Sequence, residues 1–351
     1  MAKRYLIIKL RHHGDVLLIT PVIAALKARE PDCVIDVVIY KETRDMLAAH
    51  PDIHHIHLID RSWKKQGIKA QIGHEWALLK SVKQSRYDVV VCLADQWRAA
   101  LLAKASGAAK RIGIAYPYRD GKMWRVCLTD VVPELDSHHH IVEQNLLALK
   151  PLGIEPTARV PLKMAYHADD WQQVEALLQA QGWQGEDYVV VHPGSRWFFK
   201  CWDDDKMTAV IQKLLNQGKT VVLSAAPDER ELAMLQNIQS QLNVLTGRLL
   251  VMAGNMNLRQ LGALIDHATL FIGVDSVPMH MAAATQTPGV ALFGPTFIQR
   301  WRPWTDKASV VYAADFGDLP HPNSIDVNTK ERYLSAIPVD AVWQAIEQQS
   351  T

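Results

Sequence analysis

The feature that most restricts this chain is an alternation, run through twice, of short β-rich apolar stretches with helical ones. In the first half residues 5–10, 34–40, 55–59 and 88–93 read as strands, with helices such as 21–29 and 76–84 between them. The pattern returns after residue 185, with strands expected over 188–192, 220–224, 243–245, 270–272 and 289–293. Strands separated by helix-length connections pair in parallel, so each half predicts a doubly wound α/β sheet of Rossmann-like type. At 351 residues the chain is long for one core and suits two domains. The Pro- and Gly-rich stretch 150–161 marks the linker, giving an amino-terminal domain over 1–160 and a carboxyl-terminal domain over 161–337. A last helix, 339–349 within about 338–351, is expected to cross back and brace the first domain. Ligands of such folds bind beyond the carboxyl ends of the strands, so two facing sheets would place an active site in a central cleft.

The charge is distributed unevenly. Residues 1–160 hold 24 Lys and Arg against 17 Asp and Glu, whereas the remainder holds 14 against 20. A basic amino-terminal half attracts nucleic acid, anionic lipid or a phosphorylated glycan by the same Coulombic force. The absence of a long Lys/Arg block, an RNA-binding aromatic signature or a zinc finger argues against nucleic acid. Cys33, Cys92, Cys127 and Cys201 are widely spaced and form no C-x-x-C pair, which predicts buried or idle thiols in a reducing cytoplasm. Lys9 and Arg11 interrupt the first apolar run, so the start reads as a strand and not a signal peptide. No apolar stretch approaches the roughly 18 residues needed to span a bilayer, and any membrane contact is expected to be peripheral. The triple His138-His139-His140 reads as a polar loop and not as a metal site.

Four stretches carry chemistry. In 271–284 an apolar strand stops at Asp275-Ser276 and opens a helix of small residues, with Ser276 placed to cap it and Pro278 in its first turn. Free N–H groups and the positive dipole end of such a helix attract phosphate, although a plain helix cap has the same appearance. After the first strand, Gly14 supplies a tight turn and Asp15 is either a general base or a helix cap. The lack of G-x-G-x-x-G there argues against a dinucleotide on the first domain. The run His192-Pro193-Gly194-Ser195-Arg196 up to Lys200 sets a glycine turn, a hydroxyl and two cations at one sheet edge, where Lys200 or Arg196 could neutralise a diphosphate. Asp228, Glu229 and Glu231 follow another strand; a carboxylate there either accepts from ribose hydroxyls or simply favours the helix start through its dipole.

Taken together, these stretches resemble the lipopolysaccharide core heptosyltransferases, ADP-heptose-dependent glycosyltransferases of the two-domain GT-B fold. The resemblance spans nearly the whole chain. It rests on Gly14-Asp15-Val16-Leu17 with Pro21, on H-P-G-S-R ending at Lys200 and Trp202, and on the D-S-x-P-M-H-x-A-A-A box at 275–284. It implies that Asp15 is the catalytic base and that Ser195 and Lys200 meet the donor phosphates. It also implies that Glu229 holds the ribose, that Met256 lines the adenine pocket, and that Asp275, Ser276 and His280 lie at the diphosphate and sugar. The chain departs from the family's D-[ST]-G-x-x-H box at Val277, which stands where glycine is usual.

The same resemblance implies an inverting transfer of L-glycero-D-manno-heptose from ADP-heptose, the donor substrate, to a heptose of the lipid-linked inner core, without a metal or other cofactor. The drift in the box and the His-rich turn at 11–13 look closest to the members that add the third, branching heptose onto heptose II. Arg61, Lys64, Arg98, Arg119 and Lys122, with Lys65, Lys69 and Arg125, are candidates to meet the anionic acceptor. Such an enzyme would work in the cytoplasm, peripherally at the inner face of the inner membrane. Two competing readings are a nucleotide-sugar epimerase on the same fold and a noncatalytic nucleotide- or glycan-binding protein.

Overall fold

A computed structural model of the protein describes residues 2–155, 159–243 and 248–349. The chain divides into two compact units, 1–165 and 166–351.

In the first unit the strands are β1 (Arg4–Ile8), β2 (Val34–Tyr40), β3 (His55–Ile59), β4 (Val89–Cys92), β5 (Lys110–Ala115) and β6 (Asp130–Pro133). The helices are α1 (His13–Leu17), α2 (Thr20–Arg29), α3 (Ile68–Gln84), α4 (Trp97–Ala105), α5 (Lys122–Cys127) and α6 (Ile141–Leu147). All strand pairings are parallel in the order β3-β2-β1-β4-β5-β6, with Ile7 opposite Val37 on one side and Val91 on the other. The central strands are almost wholly apolar because helices cover both faces of a parallel sheet. Leu6, Ile7, Ile8, Val37, Val38, Val90 and Val91 are fully buried. Asp36 is the exception within β2, and three donors satisfy it: Tyr87 Oη at 2.6 Å, His54 Nδ1 at 3.0 Å and Arg4 Nη2 at 3.4 Å.

The second unit repeats this plan with β7 (Tyr188–His192), β8 (Thr220–Leu223), β9 (Leu249–Val251), β10 (Leu270–Val274), β11 (Gly289–Phe293) and β12 (Ala308–Tyr312). Its helices are α7 (Ala168–Ala180), α8 (Asp204–Asn216), α9 (Glu229–Ser240), α10 (Leu258–Asp266), α11 (Val277–Thr285), α12 (Ile298–Trp301) and α13 (Val339–Gln349). The parallel order β12-β11-β10-β7-β8-β9 is that of the first sheet, with β7 and β10 at the centre in place of β1 and β4. The strand expected over 243–245 includes Val244 and Leu245, which lie outside the described residues; the edge strand of this sheet is β9. Pro156, Thr157 and Ala158 of the expected linker also lie outside them, as do Ser350 and Thr351 of the terminal segment. Within the described part of that linker, Lys150–Leu152 forms a single 3-10 turn ended by Gly153 in the left-handed conformation, which suits a residue without a Cβ.

Helix α13 packs on β11, β12 and α8, where Val342, Trp343, Ala345 and Ile346 join the core of the second unit. Among the described residues no helix is long and apolar enough to cross a membrane. All four cysteines are free and buried.

Ile346→Ala should cost roughly 2–5 kcal/mol, since it removes buried methylenes from a packed core. Hydrogen exchange is expected to show the loss of protection in β10–β12, with the amides of β1 unaffected.

Candidate donor and acceptor sites at the strand ends

Because each sheet is parallel, every strand delivers its following turn to the same edge. The strand order reverses direction between β1 and β4 and again between β7 and β10, and such switch points are where open α/β sheets bind ligands. In the second unit Ser195 and Lys200 follow β7, and Asp275 and Ser276 follow β10. The paired central strands therefore bring together residues that are 75 apart in sequence. Lys200 Nζ stands 2.7 Å from Asp275 Oδ2, with the two residues only 7% and 4% exposed. Thr296, after β11, donates its hydroxyl to the same carboxylate oxygen at 3.0 Å. Lys200 also lies 4.8 Å from the ring centroid of Trp197. An ammonium has three donors, so a Lys held by one carboxylate retains N–H groups for a phosphate.

Ser276 occupies the position just before α11, but its hydroxyl donates to Val274 O at 3.3 Å and makes no cap to the helix. The expectation that Ser276 caps the helix is corrected by this geometry. The first amides of α11 are left without a side-chain acceptor from the cap residue, the arrangement that favours an anion. Val277 is the first residue of that helix and half-buried; His280 is buried one turn further on.

Glu229 is the exposed first residue of α9, next to Asp228, which accepts from Arg230 N at 3.1 Å. Met256 is half-buried in the turn after β9. The two turns are joined, since Gly254 N donates to Ala225 O at 3.1 Å. Arg196 is exposed, with its carbonyl accepting from Arg230 Nη2 at 3.4 Å. Across the edge the order is thus Asp275 and Ser276 after β10, Ser195 and Lys200 after β7, Glu229 after β8 and Met256 after β9.

Glu231 supports the turn after β7, a role its sequence position did not reveal. Buried, it accepts from Ala226 N at 3.0 Å. A Cβ on Gly194 would lie 2.5 Å from its Oε2, so only glycine lets the turn approach that carboxylate. Burial raises the Glu231 pKa and lowers that of His192 to about 4, so His192 is neutral at pH 7. Its Nδ1 pairs with Ser224 Oγ at 2.9 Å, while Nε2 lies 3.7 Å from Glu231, too far for a hydrogen bond.

In the first unit Asp15 is the third residue of α1, its side chain 18% exposed. Gly14 is helical within α1, and the turn expected there is made earlier, with His12 extended as the cap residue. Buried Lys9, which continues β1, places Nζ 4.0 Å from Asp15 Oδ1 and 3.4 Å from Asn145 Oδ1. Across the switch point Arg11 pairs with Asp95 Oδ2 at 2.7 Å, and Tyr118 donates to the same oxygen at 2.9 Å. Lys9 was legible only as a charge ending an apolar strand.

Arg61, Lys64, Arg98, Arg119 and Lys122, expected to meet the acceptor, all fall on this carboxyl edge, after β3, β4 and β5; three of the five are engaged locally and two are exposed. Arg61 pairs with Glu42 at 3.2 Å and stacks over Tyr40; Arg98 pairs with Glu75; Arg119 donates to Asp95 O at 3.2 Å. Lys64 and Lys122 are exposed. Of the histidine triple, buried His140 caps α6 by accepting from Val142 N, and His139 pairs with Asp136. Among the described residues no group of three or more His, Cys, Asp or Glu is arranged to hold a metal ion.

Gly194→Ala should destabilise the second unit by about 2 kcal/mol through overpacking against Glu231. In a double-mutant cycle with Glu231→Ala most of that cost should vanish; additive costs would show that the two residues do not touch. His192 gives a second expectation. Above about pH 6.5 it is neutral in both folded and unfolded chains; as the pH falls to about 4 only the unfolded chain takes up the proton, so stability is lost through that window. Denaturant titrations should show a shallower acid slope for His192→Asn.

Residues 75–330 match the model of glycosyltransferase family 9 (heptosyltransferase). Lipopolysaccharide heptosyltransferase 3 of Escherichia coli strain K12 is 39% identical over 340 residues, covering 96% of this chain and 95% of that protein. Among solved structures, the family 9 glycosyl transferase from Veillonella parvula superposes with a TM-score of 0.83 at 22% identity, covering 99% of this chain and 97% of that one. The E. coli ADP-heptose lps heptosyltransferase II gives 0.77 at 22% identity, covering 99% and 98%. By the family match and by this identity over almost its whole length, the chain belongs to glycosyltransferase family 9, the heptosyltransferases.

Proposed function

We propose that the protein moves L-glycero-D-manno-heptose from ADP-heptose to a heptose of the lipopolysaccharide inner core, with inversion, adding the third, branching heptose onto heptose II. The observation that carries the donor half of this reading is the buried Lys200–Asp275–Thr296 cluster beside the uncapped start of α11. The names of the relatives support heptose as the sugar and the lipid-linked core as the acceptor.

In this reading the diphosphate lies at the β7–β10 switch point, against Ser195, Lys200 and the first amides of α11, with Arg196 at its margin. The ribose reaches Glu229 after β8, and adenine reaches Met256 after β9. His280, Asp275 and Ser276 flank the diphosphate and sugar. Asp15 takes the proton from the acceptor hydroxyl as that oxygen attacks the anomeric carbon. The bond from that carbon to the diphosphate breaks, and its electron pair leaves on the β-phosphate oxygen of ADP. Charge grows on the departing group, so fixed donors there stabilise the transition state more than the ground state. Lys9 Nζ stands 4.0 Å from Asp15 Oδ1, so a fixed positive charge lies beside the carboxylate in this reading. Arg61, Lys64, Arg98, Arg119 and Lys122 supply a basic edge for the anionic acceptor, and the enzyme works in the cytoplasm in peripheral contact with the inner membrane.

Asp15→Asn should leave ADP-heptose affinity within about twofold and lower turnover by about 10²-fold or more, as expected for loss of a general base. The assay is purified protein with ADP-heptose and core acceptors bearing one or two heptoses, with product mass and linkage read out. Unchanged turnover would remove Asp15 as the base. Release of epimer or free heptose without acceptor would favour the epimerase reading, and ADP binding without any transfer would favour a noncatalytic binding protein.

A further inference from the structure

The first unit carries an apolar surface that its own core does not use. Ile68, Ile72 and Trp76 follow one another at four-residue spacing on α3 and are 77%, 59% and 67% exposed. Leu101 on α4 and Met123 and Val126 on α5 are 55%, 72% and 60% exposed. Helices α3 and α4 touch, as do α4 and α5, so these side chains belong to neighbouring elements. Aromatic and ionic contacts knit the three together: Arg98 of α4 pairs with Glu75 of α3, and Trp97 of α4 meets Trp124 of α5 edge-on at 5.6 Å. Each helix starts at the carboxyl edge of the sheet, the edge where Asp15 also lies; Ile68, Ile72, Leu101, Met123 and Val126 stand in the first two turns of their helices, with Trp76 further along. Large apolar side chains grouped in this way on a soluble surface mark an interaction site.

The charge around them selects the partner. From residue 61 to 129 the sequence holds 14 Lys and Arg against 4 Asp and Glu, although the whole chain is nearly neutral. Three of those four acids, Glu75, Asp95 and Asp120, are already paired with Arg98, Arg11 and Arg125. Lys64, Lys65, Lys69 and Lys122 are exposed beside the apolar residues. Apolar side chains ringed by cations suit a surface that offers hydrocarbon beneath a layer of negative charge. A protein partner would have to match an apolar patch and a one-signed charge field together, whereas an anionic bilayer presents both everywhere.

We infer that the α3–α4–α5 face docks on anionic phospholipid, seating the first unit on the membrane by the edge that bears Asp15. This deepens the reading of a lipid-linked acceptor and rests on it for its purpose, though the observations that carry it are independent of heptose transfer.

The test is co-sedimentation of the full chain with phosphatidylglycerol–phosphatidylcholine vesicles and with phosphatidylcholine vesicles alone. Wild type should bind the anionic vesicles, release in raised salt, and bind the neutral ones poorly. The triple variant Ile72→Gln, Trp76→Gln, Met123→Gln removes exposed side chains only and should lose about tenfold or more of the vesicle affinity. Its turnover on a delipidated core acceptor should equal that of wild type, which shows that the variant is folded. Equal vesicle binding by variant and wild type, or no binding by wild type, would overturn the inference. So would a dimer that the triple variant dissociates, since the face would then cover a second copy. Failure of heptose transfer itself shows separately, as absent turnover on every acceptor, whatever the vesicles report.

Discussion

Parallel pairing of strands buried on both faces is the constraint from which the rest follows. Such strands must be apolar along their length, because neither face meets water, and their backbone groups are satisfied only by neighbouring strands. Polar chemistry is thereby driven to the ends. A parallel sheet sends every carboxyl end to one edge, so residues distant in sequence arrive side by side there. Arg11, Asp95 and Tyr118 meet in this way in the first unit, and Lys200, Asp275 and Thr296 in the second. The same topology in both units makes them two versions of one solution.

Each switch point also carries a buried lysine and an aspartate. Lys200 with Asp275 is a close hydrogen-bonded pair, while Lys9 and Asp15 are 4.0 Å apart. Removing water from two charges costs several kcal/mol per ion, and good geometry recovers that cost only in part. Such pairs are weak evidence for stability and better evidence for a charge required in place. In the second unit the tight pairing fixes the ammonium in place, so a ligand of the kind proposed would meet it with little reorganisation. In the first, the looser spacing leaves the Asp15 carboxylate near a positive charge yet partly exposed, an arrangement compatible with the base role proposed for it.

Much of this was legible from sequence, for a physical reason. Runs such as 188–192 and 289–293 are short, β-rich and bounded by Pro or Gly, so local pattern alone specifies them. The box at 275–284 declares itself because a strand and a helix meet there with no room for a loop. Harder to read were β5 and β6, whose alternation is broken by Lys110, Arg111 and Asp130, and the amino-terminal turns of α3, where Ile68 and Ile72 face outward. An amphipathic rule assumes that apolar residues point to the core, so a helix with an apolar outer face is misjudged in extent. Glu231 and Lys9 escaped for another reason. Their importance lies in tertiary contacts, with the turn at Gly194 and with Asp15, which no local window contains. Ser276 shows the converse: its residue type and position announce a cap, but its hydroxyl bonds to Val274 O instead.

Val277 sits where these arguments meet. At the first position of α11 its amide is among the helix N–H groups that have no intrahelical acceptor, and replacing glycine by valine does not delete that donor. What changes is volume. Side chains on a helix lean toward its amino terminus, so the branched Val277 side chain inclines toward the place an anion would occupy and narrows the approach to it. In the proposed reading the charge that would attract a diphosphate comes from backbone amides and from Lys200, and both survive the substitution. In the same reading residue 277 would shape what can follow the diphosphate, so the departure would bear on the sugar or the angle of entry rather than on phosphate recognition. A chain can therefore keep the family's electrostatics at this turn while altering its fit, and the half-buried valine at the start of α11 has that form.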